Sequence, residues 1–311
     1  MRIKILGTES LGVRGLSCVV ETKNRKIVID PGVALGYQRH GLLPHPFQVA
    51  VGEMVRQKIV SELKDSTDIV ISHFHGDHVP LANANPYQLA AKQIVKLFQG
   101  PRLWSKSTSN LSFNQVKRCN DLSSVLGRTL PNAEGQDDDQ LSFSLSMPHG
   151  ESNNVLGSVM MTCIKDKEKV FVHASDIQLL DIKPISQILN WQPDIVLASG
   201  PPLYLRHLSS KKRKNAWQNA VRLAQGVKTL ILDHHLLRSE EGYSFLDELS
   251  SKTDHRVICA ADFMGCRRLP LEAWRQRLYR EMPVAKGWHQ AYTRGEVNTG
   301  HYRNWQGWNI S

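Results

Sequence analysis

Apolar positions along the chain alternate between two periods. Residues 2–6, 17–22 and 26–30 carry the short apolar runs of strands, and the last two are separated by the turn Lys23-Asn24-Arg25. The third run must stop at Asp30-Pro31-Gly32, so the opening reads as a β-meander after a glycine-punctuated loop at 7–15. Val51, Met54, Val55, Ile59 and Leu63 then recur at helical spacing, predicting a helix over 47–63. A buried strand at 68–71 follows. The spacing predicts a second helix over 86–98, with Pro86 in its first turn.

Residues 102–106 read as a strand, followed by a polar middle and an acidic loop that includes Asp137, Asp138 and Asp139. The period then returns to two. Leu141, Phe143, Leu145 and Met147 alternate with serines, predicting a half-buried strand that ends at Pro148-His149-Gly150. A hairpin over 157–164 and 170–173 comes next. Strands at 195–198, 229–233 and 257–260 are interleaved with helices over 213–225 and near 270–280. No fixed short repeat is present. This order predicts a layered α/β protein with two sheets and outer helices, in one domain over residues 1–285. From 286 to 311 the chain turns aromatic and arginine-rich and loses its aliphatics.

The 311 residues include 39 basic and 29 acidic ones, a net charge of +10. That balance favours anionic partners, small phosphorylated substrates first and nucleic acid second, although a solvated basic surface gives the same number. The five cysteines are odd in number and form no C-x-x-C pair, the pattern of small core thiols in a reducing compartment. No run reaches the ~18 to 20 apolar residues of a membrane span. Met1 leads straight into a strand pattern rather than a signal peptide. The expectation is a soluble cytoplasmic protein.

The chemistry concentrates in Ser72-His73-Phe74-His75-Gly76-Asp77-His78, directly after the strand at 68–71. Three imidazoles and a carboxylate crowded after a strand have no cheap packing explanation, because each buried imidazole needs its own polar partner. Further ligand types stand at other strand ends: Asp30, His149, Asp176 and the pair His234-His235. Together they suffice for two cations. Single histidines elsewhere, namely His40, His45, His207, His255, His289 and His301, read as structural or exposed, and His173 as structural or facing substrate. The acidic loop at 137–139 and the run Lys211-Lys212-Arg213-Lys214 read as solvated charge. Arg14 can reach an anionic substrate if its loop lies beside the site.

The H-x-H-x-D-H loop, followed by His149, Asp176 and a late histidine, resembles the metallo-β-lactamase superfamily from Asp30 to His235. Ser175-Asp176 resembles the phosphodiesterase-like branches. The segments 9–14, 29–32 and 233–235 most resemble an uncharacterised, mainly archaeal branch of predicted metal-dependent hydrolases. The resemblance implies a four-layer αββα sandwich with a dinuclear centre, usually zinc, with manganese or iron as alternatives. It implies that His73, His75 and His149 hold one metal and that Asp77, His78 and a late histidine hold the other. His234 is favoured over His235 for that last place. Asp176 would bridge the pair, Asp30 would brace the loop, and Asp77 would orient the attacking water.

The activity implied is hydrolysis of a phosphodiester or other anionic ester. The rivals on the same scaffold are a nucleic-acid-binding or regulatory protein and an iron-dependent oxidoreductase. Asp233-His234-His235 also resembles the D-H-H signature of another phosphoesterase family, whose upstream aspartate motifs are missing here.

Overall fold

The computed structural model describes residues 1–151 and 157–309. Two sheets form its centre. The first has five strands in the order β1 (Arg2–Gly7), β2 (Ser17–Glu21), β3 (Lys26–Ile29), β4 (Asp68–Ile71) and β5 (Arg102–Ser105). Its first three strands are antiparallel, and β3, β4 and β5 run parallel. The connections that return the chain to parallel strands include the helix α1 (Pro46–Leu63). α2 (Phe113–Leu126) comes after β5.

A small ladder of β7 (Met147–Pro148) and β8 (Ser158–Val159) follows β6 (Leu141–Phe143). The second sheet takes β6, then β9 (Thr162–Asp166) and β10 (Lys169–Ser175). It continues through β11 (Ile195–Ala198), β12 (Thr229–Leu232) and β13 (Arg256–Ile258). Its strands 10 to 13 are parallel. The helices α3 (Ile182–Asn190), α4 (Ser210–Gly226) and α5 (Glu241–Ser250) connect them.

Side-chain alternation builds the layers. Val19, Val28 and Ile69 face α1, whereas Cys18, Val20, Ile27, Ile29 and Val70 face the other sheet. On the second sheet Val172, Val196 and Leu230 face the helices, and Phe171, Leu197 and Ile231 turn inward to meet the first sheet. The result is the expected α/β four-layer αββα sandwich, with one apolar cluster between the sheets and one under each helical layer.

Several local expectations are overturned. Residues 86–98 form two short 3-10 turns, Ala91–Gln93 and Val95–Phe98, rather than an α-helix. The backbone there is spent elsewhere: Leu81 N–H donates to Leu89 O at 2.9 Å and Ala91 N–H to Leu81 O at 2.8 Å. The polar middle holds α2, whose buried Cys119, Leu122 and Leu126 are spaced along one face among serines and asparagines. The strand expected over 141–147 breaks after Phe143, and Leu145 is exposed. Asp138 is not simply solvated, because it pairs with Arg25 and Arg102. Four cysteines are buried as expected, but Cys266 is exposed.

Beyond β13 the chain runs through α6 (Ala260–Phe263), α7 (Arg275–Glu281) and α8 (Trp288–Thr293), then the ladder β14 (Asn304–Trp305) and β15 (Trp308–Asn309). The aromatic segment lies against α1. Trp288 and Trp305 are buried in its cluster, and the Tyr292 hydroxyl donates to Glu53 Oε1 at 2.8 Å. Among the described residues no helix is long and apolar enough to cross a membrane.

Candidate metal centre

The site gathers where strands end. After β3 the chain turns at Asp30 in a left-handed conformation, φ 48°, which Asp tolerates better than most side chains. Its carboxylate accepts from Ser72 N–H at 2.8 Å and from the Ser72 hydroxyl at 2.6 Å, tying the end of β3 to the start of the histidine loop. Gly32 presses on that loop, and a Cβ there would lie 2.2 Å from the Val79 nitrogen, so only glycine fits. The loop itself closes as a helical turn, with His78 N–H donating to His75 O at 3.0 Å. His149 follows β7, Asp176 follows β10, and Asp233-His234-His235 follows β12.

Asp176 sits at the middle. Its Oδ2 faces His149 Nε2 at 3.0 Å, His235 Nε2 at 3.3 Å, His73 Nε2 at 3.5 Å and His75 Nδ1 at 3.8 Å. Its Oδ1 faces His78 Nε2 at 3.1 Å and His234 Nε2 at 3.5 Å. Asp77 Oδ2 is 3.4 Å from His234 Nε2. Donor atoms therefore fall into two groups, His73, His75 and His149 on one side of Asp176 and Asp77, His78 and His234 on the other. His235 lies between the groups: it shares Asp176 Oδ2 with the first, and its ring centroid is 5.3 Å from His149 and 4.6 Å from His234. Asp30 lies behind His78, its Oδ2 at 2.9 Å from Nδ1.

This donor set fits divalent cations. Asp176 Oδ1 and His78 Nε2 are close but not aligned for a hydrogen bond, and neither has a hydrogen-bond partner, although both are buried. Orphaned buried donors and acceptors are rare, and an ion between them would satisfy both. Imidazole nitrogens with carboxylate oxygens suit zinc, iron or manganese.

The electrostatics prepare the same outcome. Burial, helped by the neighbouring His78 and His75, holds the His73 imidazolium pKa down to about 3. Burial and Arg238 do the same for His235, also to about 3, and His234 is pushed well below its ordinary value by the same two causes. Burial drives the Asp176 carboxyl up, but His78, His234 and His235 outweigh it and keep the group ionised. His78 goes the other way. Burial opposes its charge, but Asp176 and Asp30 overcome this and raise it. Most ligand-type imidazoles are thus neutral and the carboxylates anionic, the protonation states that metal binding requires.

The mouth of the site opens into a cavity of about 540 Å³ whose lining includes Arg14, Asp77, Tyr204, His207, Lys212 and Arg238. Arg14 reaches it while bonded to Glu272 through Nε at 2.7 Å, and Lys212 pairs with Glu151 at 2.6 Å. His207, expected to be structural or solvated, is a wall residue here. His173 is buried with Nε2 2.9 Å from Leu16 O, and His45 caps α1.

Sequence reading missed Arg238, Glu9 and Tyr204. Arg238 is buried, donating through Nε to Glu9 Oε1 at 2.9 Å and through Nη1 to the Tyr204 hydroxyl at 3.1 Å. The available signal was position, because Arg238 lies one helical turn after His234 and Glu9 lies two residues beyond the end of β1.

The Metallo-beta-lactamase superfamily model matches residues 12–83. A UPF0282 protein of Methanosarcina mazei is 49% identical over 302 residues, covering 97% of this chain and 99% of its own. A UPF0282 protein of Pyrococcus furiosus is 35% identical over 289 residues, covering 90% and 92%. Among solved structures, the metallo-beta-lactamase fold protein YhfI from Bacillus subtilis aligns with a TM-score of 0.51 at 10% identity, covering 83% of this chain and 95% of that one. At that identity the likeness shows the fold alone.

Proposed function

The chain belongs to the UPF0282 family of metallo-β-lactamase-fold proteins, and from that premise we propose that it is a metal-dependent hydrolase of phosphodiesters or other anionic esters. The observation that carries this reading is the division of Asp176. Each of its two oxygens addresses a separate set of imidazoles, as a carboxylate shared by two cations would. His73, His75 and His149 would hold one cation, and Asp77, His78 and His234 the other. Zinc is the first candidate, with manganese and iron accepted by the same donors.

Two cations held by these residues would make bound water acidic near neutral pH and neutralise charge developing on the substrate. The protein's own groups supply the rest. Asp77 is only partly buried and faces the cavity, so its carboxylate can accept a hydrogen bond from the attacking water and aim it. Burial raises its pKa, but His78, His234 and Arg238 more than reverse this, leaving an acceptor throughout the physiological range. Arg14 and Lys212 on the wall, each paired with a glutamate, offer N–H donors to an anionic substrate. The cavity volume suits a small molecule.

Metal analysis of the purified protein, with hydrolysis of bis(p-nitrophenyl) phosphate as a generic diester assay, tests this. Bound transition metal and an activity abolished by His75→Ala are expected. A metal-free protein whose activity His75→Ala leaves unchanged would refute it.

A further inference from the structure

Arg238 ends a short 3-10 turn, Leu236–Arg238, and its guanidinium points back into the centre. Nη2 lies over the His234 ring, 2.9 Å from Nε2 and 3.4 Å from Nδ1, and 3.5 Å from Asp77 Oδ2. His234 Nε2 and Asp77 Oδ2 are two of the atoms offered to the second cation. A ring nitrogen has one in-plane lone pair. Nη2 lies off that lone pair, and Gly15 N–H donates to Nδ1 of the same ring at 3.3 Å, so the guanidinium acts on His234 through its charge. The guanidinium is permanently charged and carries only donors. It is therefore already a cation on those atoms.

Arg238 is also firmly held. Glu9, itself buried, takes Nε at 2.9 Å, and Tyr204 takes Nη1 at 3.1 Å. The other side of the centre differs. Among the described residues no arginine or lysine pairs with Asp176, and the Oδ2 group of His73, His75 and His149 has no cationic side chain bonded to its nitrogens.

We propose that Arg238 is a resident competitor for the second cation. The chain takes its first metal on the His73, His75, His149 and Asp176 side, and takes the second only as the guanidinium gives up His234 and Asp77. This rests on the two-cation reading above and adds an order of loading to it. Because Arg238 and Tyr204 both line the cavity, the exchange happens at its wall.

The test is a titration of metal-free protein with Zn²⁺ against a chromophoric chelator, with bound metal counted after gel filtration. Wild-type protein should bind two equivalents, the first more tightly. The double variant Arg238→Met/Glu9→Gln leaves neither partner of the ion pair charged. It should bind the first equivalent unchanged and the second about tenfold tighter or more, from the loss of one like charge beside that site. Arg238→Gln, which keeps a donor and drops the charge, repeats the measurement should the double variant not fold. A second equivalent that is unchanged or weaker in the variant overturns the proposal, as do two equally tight equivalents in wild-type protein. Both of those results leave the two-cation reading standing, whereas wild-type protein that binds no Zn²⁺ overturns both.

Discussion

Asp30 Oδ2 lies 2.9 Å from His78 Nδ1, and both side chains are fully buried. An ionised carboxylate only accepts, so the proton sits on Nδ1 and Nε2 is left to face Asp176. Such partners fix the tautomer and orientation of a ligating imidazole. Asp30→Asn keeps the side-chain shape and tolerates the left-handed backbone. It should weaken metal binding by about 10- to 100-fold with little change in fold. Chelator competition measures the first and far-ultraviolet circular dichroism the second.

His234 and His235 should separate by stoichiometry. His234 Nε2 groups with Asp77 and His78, whereas His235 groups only with Asp176 and the neighbouring His234. His234→Ala should reduce bound metal from two equivalents to one. His235→Ala should retain both, since His73, His75, His149 and Asp176 remain. Elemental analysis of dialysed protein reads the difference, and the reverse pattern would transfer the role to His235.

Asp68 should be a stability residue without a part in chemistry. It is buried and receives Arg25 Nε and Trp104 Nε1, both at 2.9 Å. Asp68→Ala leaves the Arg25 guanidinium with Asp138 alone, a loss of about 3 kcal/mol, the lower end of the cost of breaking a buried pair. Urea unfolding should show that loss, with metal stoichiometry unchanged.

His45 makes stability acid-sensitive. Its Nδ1 accepts from Phe47 N–H at 3.1 Å at the start of α1, and burial lowers its pKa from 6.5 to about 4. Between those values the unfolded chain binds the proton and the folded chain does not, so stability rises with pH. The group is neutral in both states above pH 6.5, and the penalty grows as pH falls toward 4, up to about 3 kcal/mol. His45→Asn, which can still cap the helix, should lose less stability between pH 7 and pH 4.5 in matched urea titrations.

The fold was legible where side-chain period and strand-ending residues agreed. Ile29-Asp30-Pro31 and Ile71-Ser72-His73 announce both a buried strand and its end, and α1 repeats Val51, Val55, Ile59 and Leu63 at every fourth position. α2 was not legible, because its buried positions are embedded in serine and asparagine. The helix expected over 86–98 failed because Leu81, just before it, took the backbone bonds that a helix needs. In the site, the clustered histidines stood out by their number alone. Arg238 did not, because an arginine reads as surface charge until Glu9 and Tyr204, more than 200 and more than 30 residues away, are seen to enclose it.

The ligand-type residues come from both halves of the sandwich. Asp30 and residues 73–78 leave the first sheet, whereas Asp176 and His234 leave the second. A cation held among them is a clasp, closed across the seam between the sheets. Its binding free energy then opposes their separation, adding about 1.4 kcal/mol for each tenfold rise in free metal above the dissociation constant. Scanning calorimetry should show the transition falling when chelator is added and climbing with added metal. The melting temperature of the chain then becomes a gauge of the cation supply around it.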